Sequence, residues 1–374
     1  MPALRILYPN AEIIAVCDSV CAPVYADTNY VDSIIKLHRK SLTTYDGFRK
    51  AQQILLTAEA GLVLNFVRSN TEQALALSLL CGAPLITVAN NTSRMPSDIR
   101  DYLQNFAHTV IPLPEELPEI EIYDHVLEFY GLERAAAYVP YMPVGDEARK
   151  RAKQLWTAAG FVPDKTIAIF AAGSIPIKDY PQLGAALVPV CKEYGFSVLA
   201  LGGKGREREV NRLVVEMLRK HGIPALNLSG RLQLAESAAM LADCRLAAGV
   251  DTGLAHIACA LSVPNVVVLG GGQFGRFFPY SPKTTVACLP LECFNCEWHC
   301  RYPSLYCCIT DVAPSVVMQA IEITLEQGDA GKTGRLLMQK SALTAKPGDT
   351  PRRQIPWKFI ASRRGCGLTV MESI

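Results

Sequence analysis

Residues 245–269 read RLAAGVDTGLAHIACALSVPNVVVL. The apolar run Arg245 to Val250 is a strand, Leu254 to Leu261 a short helix, and Asn265 to Leu269 a second strand. Two strands joined by a helix lie parallel, because the crossover returns the chain to the same edge of the sheet. The polar group Asp251-Thr252-Gly253 then falls where the first strand hands over to the helix. Backbone N–H groups at a helix start lack intrahelical acceptors and favour an anion. His256 lies one turn on and can face the same space. The plainer reading makes Asp251 or Thr252 an N-cap and His256 a satisfied core histidine.

The same alternation continues upstream. Thr166 to Ala171 and Phe196 to Leu201 read as strands. Between Glu207 and Lys220, Val210, Leu213, Val214, Met217 and Leu218 mark one face of a helix, and Leu234, Ala238, Leu241 and Ala242 mark another. The result is a doubly wound sheet, whose ligands bind at strand carboxyl ends. Two further ends carry suggestive residues. Ala171-Ala172-Gly173-Ser174 is followed by Lys178, and Gly202-Gly203-Lys204-Gly205 by Glu207. Small residues admit a backbone close to an oxygen-rich ligand, and lysine supplies a point charge for phosphate. Taken singly, each is equally an ordinary glycine-rich turn or a helix-start acid. With three such ends converging on one rim the plain readings are less convincing, and an anion such as pyrophosphate is favoured.

The first half alternates in the same way, with strands at residues 11–17, 33–37, 61–66, 84–88 and 109–113. The stretch VPYMPVGD at 139–146 interrupts both periodicities and marks a domain boundary. Residues 1–140 thus form one Rossmann-like domain and 147–328 a second. Residues 329–374 read as a basic, solvated tail, with nine Lys/Arg against two Asp/Glu over 331–374. The sharper alternative for the tail is attachment to anionic lipid.

Half of the 374 residues are apolar and 19% are charged, enough for two cores. The net charge of +2 hides a body, outside 331–374, with 28 basic and 33 acidic residues. That argues against a nucleic-acid binder. Neither a secretory leader nor a membrane-length apolar run is present, so the expected location is the cytoplasm. Six of thirteen cysteines crowd between Cys288 and Cys308. The spacing of Cys293, Cys296, Cys300 and Cys307 suits a structural zinc or iron site, with His299 a substitute ligand. Free buried thiols, or a disulfide formed on oxidation, remain the alternatives.

The stretch Asn227 to Tyr280, with DTGLAH at its centre, resembles glycosyltransferase family 9, the ADP-heptose:lipopolysaccharide heptosyltransferases, whose motif is D-[ST]-G-x-x-H. Residues 173–178, 202–207 and the opening PALRILYPNAEI support the resemblance, which spans most of residues 2–325. It implies a GT-B fold, with two Rossmann-like domains facing each other across a cleft, and inverting transfer from a nucleotide-activated sugar without a catalytic cofactor. Ser174 and Lys178 would hold the donor phosphates, Glu207 the nucleoside and Leu232 the base. Asp251, Thr252, Gly253 and His256 would surround the diphosphate and sugar, with Asp251 expected to meet sugar hydroxyls or backbone N–H groups. Family members open with a strand, a glycine-rich loop bearing an acidic residue, and a helix ending in LPALR. This chain opens at Met1-Pro2-Ala3-Leu4-Arg5, so the first domain is expected to lack its first strand and no general base is assigned.

The expected donor is ADP-heptose or a similar sugar nucleotide. The expected acceptor is a lipopolysaccharide core sugar or another glycan, with a protein side chain as an alternative. The rival readings are a non-catalytic nucleotide-sugar-binding remnant and, more distantly, a sugar-nucleotide epimerase.

Overall fold

The computed structural model describes residues 2–67, 72–89, 101–102, 105–114, 117–131, 140–278, 280–302, 306–327, 334–340 and 369–373. It divides into two compact units, Met1–Tyr138 and Val139–Ile374.

In the first unit, β1 (Ile14–Asp18) pairs in parallel with β2 (Ser33–Leu37), Val16 opposite Ile35. A second parallel sheet holds β3 (Val63–Asn65), β4 (Leu85–Val88) and β5 (Thr109–Ile111), in that order. Among the described residues no strand pairs with the other edge of β1 or of β3. The strands of this unit thus fall into two separate sheets. Val16, in the middle of β1, is 48% exposed. Packing is correspondingly local. Leu37, Ala51, Leu55 and Leu77 form one cluster, and Val88, Ile111, Leu113, Ile122 and Val126 another.

The second unit is built on eight parallel strands in the order β13-β12-β11-β10-β9-β6-β7-β8. These are β6 (Thr166–Phe170), β7 (Ser197–Ala200), β8 (Ala225–Asn227), β9 (Leu246–Val250), β10 (Asn265–Val268), β11 (Thr284–Cys288), β12 (Arg335–Met338) and β13 (Thr369–Glu372). Every residue of β6, β7, β9, β10, β11 and β12 is buried. Sheets covered on both faces require such unbroken apolar strands.

The expected solvated tail needs correction. Arg335–Met338 is a strand whose Leu336 and Leu337 are fully buried, paired with β11 on one side and with Thr369–Glu372 on the other. Gly334 makes the approach: its φ is +94°, and a Cβ there would stand 2.5 Å from the carbonyl oxygens of Ser281 and Thr284. Residues 341–368, which carry much of the basic charge, lie outside the described residues.

Candidate functional site at the sheet's switch point

Strands added after β6 go first to one side (β7, β8) and then to the other (β9 to β13). The reversal falls between β6 and β9. The connections leaving their carboxyl ends part to opposite faces there, which opens a ligand crevice.

Lys178 closes a 3-10 turn, Pro176–Lys178, in the loop after β6. Its Nζ donates to Asp251 Oδ2 at 2.6 Å, and Asp251 is only 6% exposed at the end of β9. His256 Nε2 stands 3.5 Å from the other carboxylate oxygen, while His256 Nδ1 lies 2.8 Å from the Tyr280 hydroxyl. The imidazole stacks on Phe278, with ring centroids 4.5 Å apart. Burial pushes the Asp251 carboxyl up, but the hydrogen bond from His256 and the charge of Lys178 outweigh it and hold the group below the usual value. Asp251 was expected to meet sugar hydroxyls or backbone N–H groups; its two oxygens instead face Lys178 and His256. The ion pair fixes an ammonium group beside the start of the helix Gly253–Ala260.

That helix is capped by Thr252, whose hydroxyl accepts from Leu254 N–H at 3.2 Å. Gly253 is exposed at its first position. Gly173 permits the approach of the two loops, since a Cβ there would lie 2.7 Å from Thr252 Cγ2. Ser174 follows, exposed.

The end of β7 is drawn in by residues that the motifs did not single out. Arg206 donates to Asp179 and to the Gly173 carbonyl, tying the helix Arg206–Lys220 to the Lys178 loop. Buried Asn211 accepts from Ala171 N–H at 2.9 Å and donates to Leu201 O at 2.9 Å and Ser229 Oγ at 2.8 Å. One amide thereby joins the ends of β6, β7 and β8. Arg206 sits within the charged run KGRERE and Asn211 on an otherwise apolar stripe. A polar residue at a core position of a helix was the available signal for Asn211. Glu207 accepts from Gly203 N–H at 2.7 Å and so closes the glycine loop on itself. Leu232 belongs to a different segment, half-buried on the bend before the helix Leu234–Ala242.

The cysteine cluster does not fit the expected four-ligand metal site. Among the described residues no group of three His, Cys, Asp or Glu side chains is placed to hold a metal ion. Cys293 and Cys296 instead form a hydrogen-bonded pair, in which the Cys293 thiol is pushed up and Cys296 is drawn down. Cys300 Sγ accepts from Tyr306 N–H, and Cys308 Sγ from Gly271 N–H. Cys307 is buried at the start of a short helix, Cys307–Thr310.

In the first unit, Asp18 accepts from the N–H groups of Val20 and Arg39, and Asp32 from Ile13 N–H and Arg5. These bonds hold both carboxyls below their ordinary value. Both oxygens of Asp18 and the Oδ2 of Asp32 hold loops. A surface depression of about 760 Å³ beside Trp156 and Asp243 is lined by Val162, Pro163 and Asp164. Those residues precede β6, so the depression lies at the sheet's amino-terminal side, away from the strand ends where ligands bind.

The profile of glycosyltransferase family 9 (heptosyltransferase) matches residues 103–304, more than half of the chain. Lipooligosaccharide heptosyltransferase 2 of Haemophilus ducreyi is 24% identical over 197 residues, 52% of this chain and 51% of that protein. The chain therefore spans about half the length of that curated relative. A glycosyl transferase family 9 protein from Veillonella parvula superposes with a TM-score of 0.71 at 21% identity, over 87% of this chain and 92% of the other. ADP-heptose lps heptosyltransferase II of E. coli gives 0.65 at 18% identity, over 87% and 93%. E. coli heptosyltransferase WaaC with ADP-2-deoxy-2-fluoro heptose gives 0.59 at 17%, over 85% and 92%. The fold is GT-B, and the chain belongs to glycosyltransferase family 9, the heptosyltransferase family.

Proposed function

We propose that this chain transfers a sugar, heptose being the expected one, from an ADP-sugar to a lipopolysaccharide core or similar glycan, with inversion at the anomeric carbon. The supporting observation is the ammonium group of Lys178, pinned by buried Asp251 beside the start of the helix Gly253–Ala260. In such a transfer an acceptor oxygen bonds to the anomeric carbon, the bond to the diphosphate breaks, and the hydroxyl proton passes to a base. Charge grows on the departing nucleotide, and a fixed cation with helix N–H groups stabilises it. Ser174, Thr252 and Gly253 would meet the phosphates, His256 the sugar, Glu207 the nucleoside and Leu232 the base. ADP is the preferred nucleotide because the relatives named above include an ADP-heptose enzyme and one bound to an ADP-sugar analogue.

The test is calorimetric binding of ADP-, UDP- and GDP-sugars to the full chain and to K178A. ADP-sugar should bind preferentially. Lys178→Ala should weaken it roughly tenfold to a hundredfold, since a charge-assisted hydrogen bond is worth about 1.5–3 kcal/mol. Equal affinity in K178A would remove Lys178 from the site.

A second reading, binding without transfer, draws on the first unit. There the sheet is divided and Asp18 and Asp32 are committed to backbone N–H groups. Release of ADP from ADP-heptose in the presence of acceptor separates the two readings. The expected location remains the cytoplasm; among the described residues no helix is long and apolar enough to cross a membrane.

A further inference from the structure

Trp298 lies in the cysteine-rich loop and outside every motif considered so far, yet it reaches the switch point. The loop is stitched to the turn after β10 by Asn295 N–H donating to Gly271 O at 2.6 Å and Glu297 N–H to Gly272 O at 2.7 Å. Asn295, Glu297 and Trp298 take φ values of +69°, +49° and +68°, a region unfavourable to side-chain-bearing residues. The indole packs closely against glycine backbone. A Cβ at Gly272 would stand 2.2 Å from Trp298 Cδ2, and one at Gly270 3.2 Å from Cη2. Lys178 Nζ sits over the same ring, 5.6 Å from its centroid.

A buried indole N–H ordinarily finds an acceptor. Among the described residues that of Trp298 is buried with no partner. The contacts that seat it are those of its ring with Gly270, Gly272 and Lys178. The ammonium it covers is already bound to Asp251 Oδ2 at 2.6 Å and lies 3.5 Å from the Asp251 carbonyl. Both contacts come from one residue. The indole face adds a contact from a second loop.

We propose that Trp298 is a positioning residue for Lys178, its indole face holding the ammonium group where a nucleoside diphosphate meets it. The inference rests on the donor-site reading above and adds to it the group that aims the lysine. A cation over an aromatic face is attracted by the ring quadrupole, more strongly when desolvated.

Fluorinated tryptophan separates this role from mere filling of the loop, because fluorine weakens the negative ring face and barely changes its shape. The full chain is prepared with tryptophan and with its mono-, di- and trifluoro forms, unsubstituted, as W298F and as K178A. ADP affinity is measured by calorimetry, and thermal midpoints are recorded alongside. In the unsubstituted chain affinity should fall stepwise with each fluorine, by about three- to thirty-fold in all. It should stay flat in K178A, where no ammonium remains, and in W298F, where only Trp156 and Trp357 carry the label. K178A carries the comparison if W298F does not fold. Affinity independent of fluorination in a chain that binds ADP overturns the role of Trp298 alone, as does an equal fall in K178A. Failure of the unlabelled, unsubstituted chain to bind ADP removes the donor site, and this inference with it.

Discussion

Lys178 and Asp251 behave as one unit, because neither is favourable alone where it sits. Asp251 is 6% exposed and Lys178 9%. Removing one partner of a buried pair strands the other charge and costs about 3–5 kcal/mol, whereas replacing both by apolar groups is often neutral. Asp251→Ala should therefore destabilise the chain by roughly that amount in urea titration, and K178M/D251A should recover most of the loss. A double variant no more stable than the single one would show that the pair is not a unit. The pH dependence has a definite sign. The folded carboxyl is held below its unfolded value, so its contribution is complete above about pH 3.9. It drains as pH falls through the lowered folded value. Unfolding free energy should then decline more steeply below about pH 4 in the natural chain than in D251N. Parallel profiles would mean that Asp251 titrates alike in both states.

At the scale of elements, the turn Gly271–Gln273 is shaped by what lies on it. A Cβ on Gly271 would stand 2.2 Å from Phe294 Cδ1, and one on Gly272 2.2 Å from Trp298 Cδ2. Neither glycine takes a positive φ, so alanine would meet steric cost only. Gly272→Ala should cost about 1–3 kcal/mol by overpacking. Tryptophan emission should change as the indole is pushed off its seat, and an unshifted spectrum at unchanged stability would contradict this packing. How much was legible in the sequence follows from the same elements. Strands β6, β7, β9 and β10 announced themselves because both faces are covered and their residues are apolar without a break. The strand end at Asp251 and the Lys178 loop were legible as motifs, but their ion pair was not, since sequence spacing says nothing of which carboxylate a lysine will reach. Arg206 was hidden in a run of charges that reads as a solvated helix face. Trp298 was hidden because its partners, Gly272 and Lys178, lie 26 and 120 residues away in the chain. β12 was missed because four residues have no period to read, and they are set among lysines, glycines and threonines.

At the scale of the molecule, the second unit holds every residue proposed for the donor, and its sheet is completed from beyond residue 328. Every residue assigned to the donor lies between Ser174 and His256, and Trp298 follows in the same unit. A chain of residues 139–374 should therefore bind ADP with the affinity of the full chain. Ending the chain at Gln327 should have the opposite effect. It would strip Leu336, Leu337 and Met338 from β11, which are 0%, 0% and 8% exposed, and leave the edge of a buried sheet unpaired. Burial of such side chains is worth about 1.5–3 kcal/mol each. Their sum, with the lost pairing, is comparable to the roughly 5–15 kcal/mol that holds a domain together. The 1–327 chain should lose its cooperative thermal transition and its ADP binding together, while 139–374 keeps both. A 1–327 chain melting within a few degrees of the full one would mean that β12 only decorates the sheet.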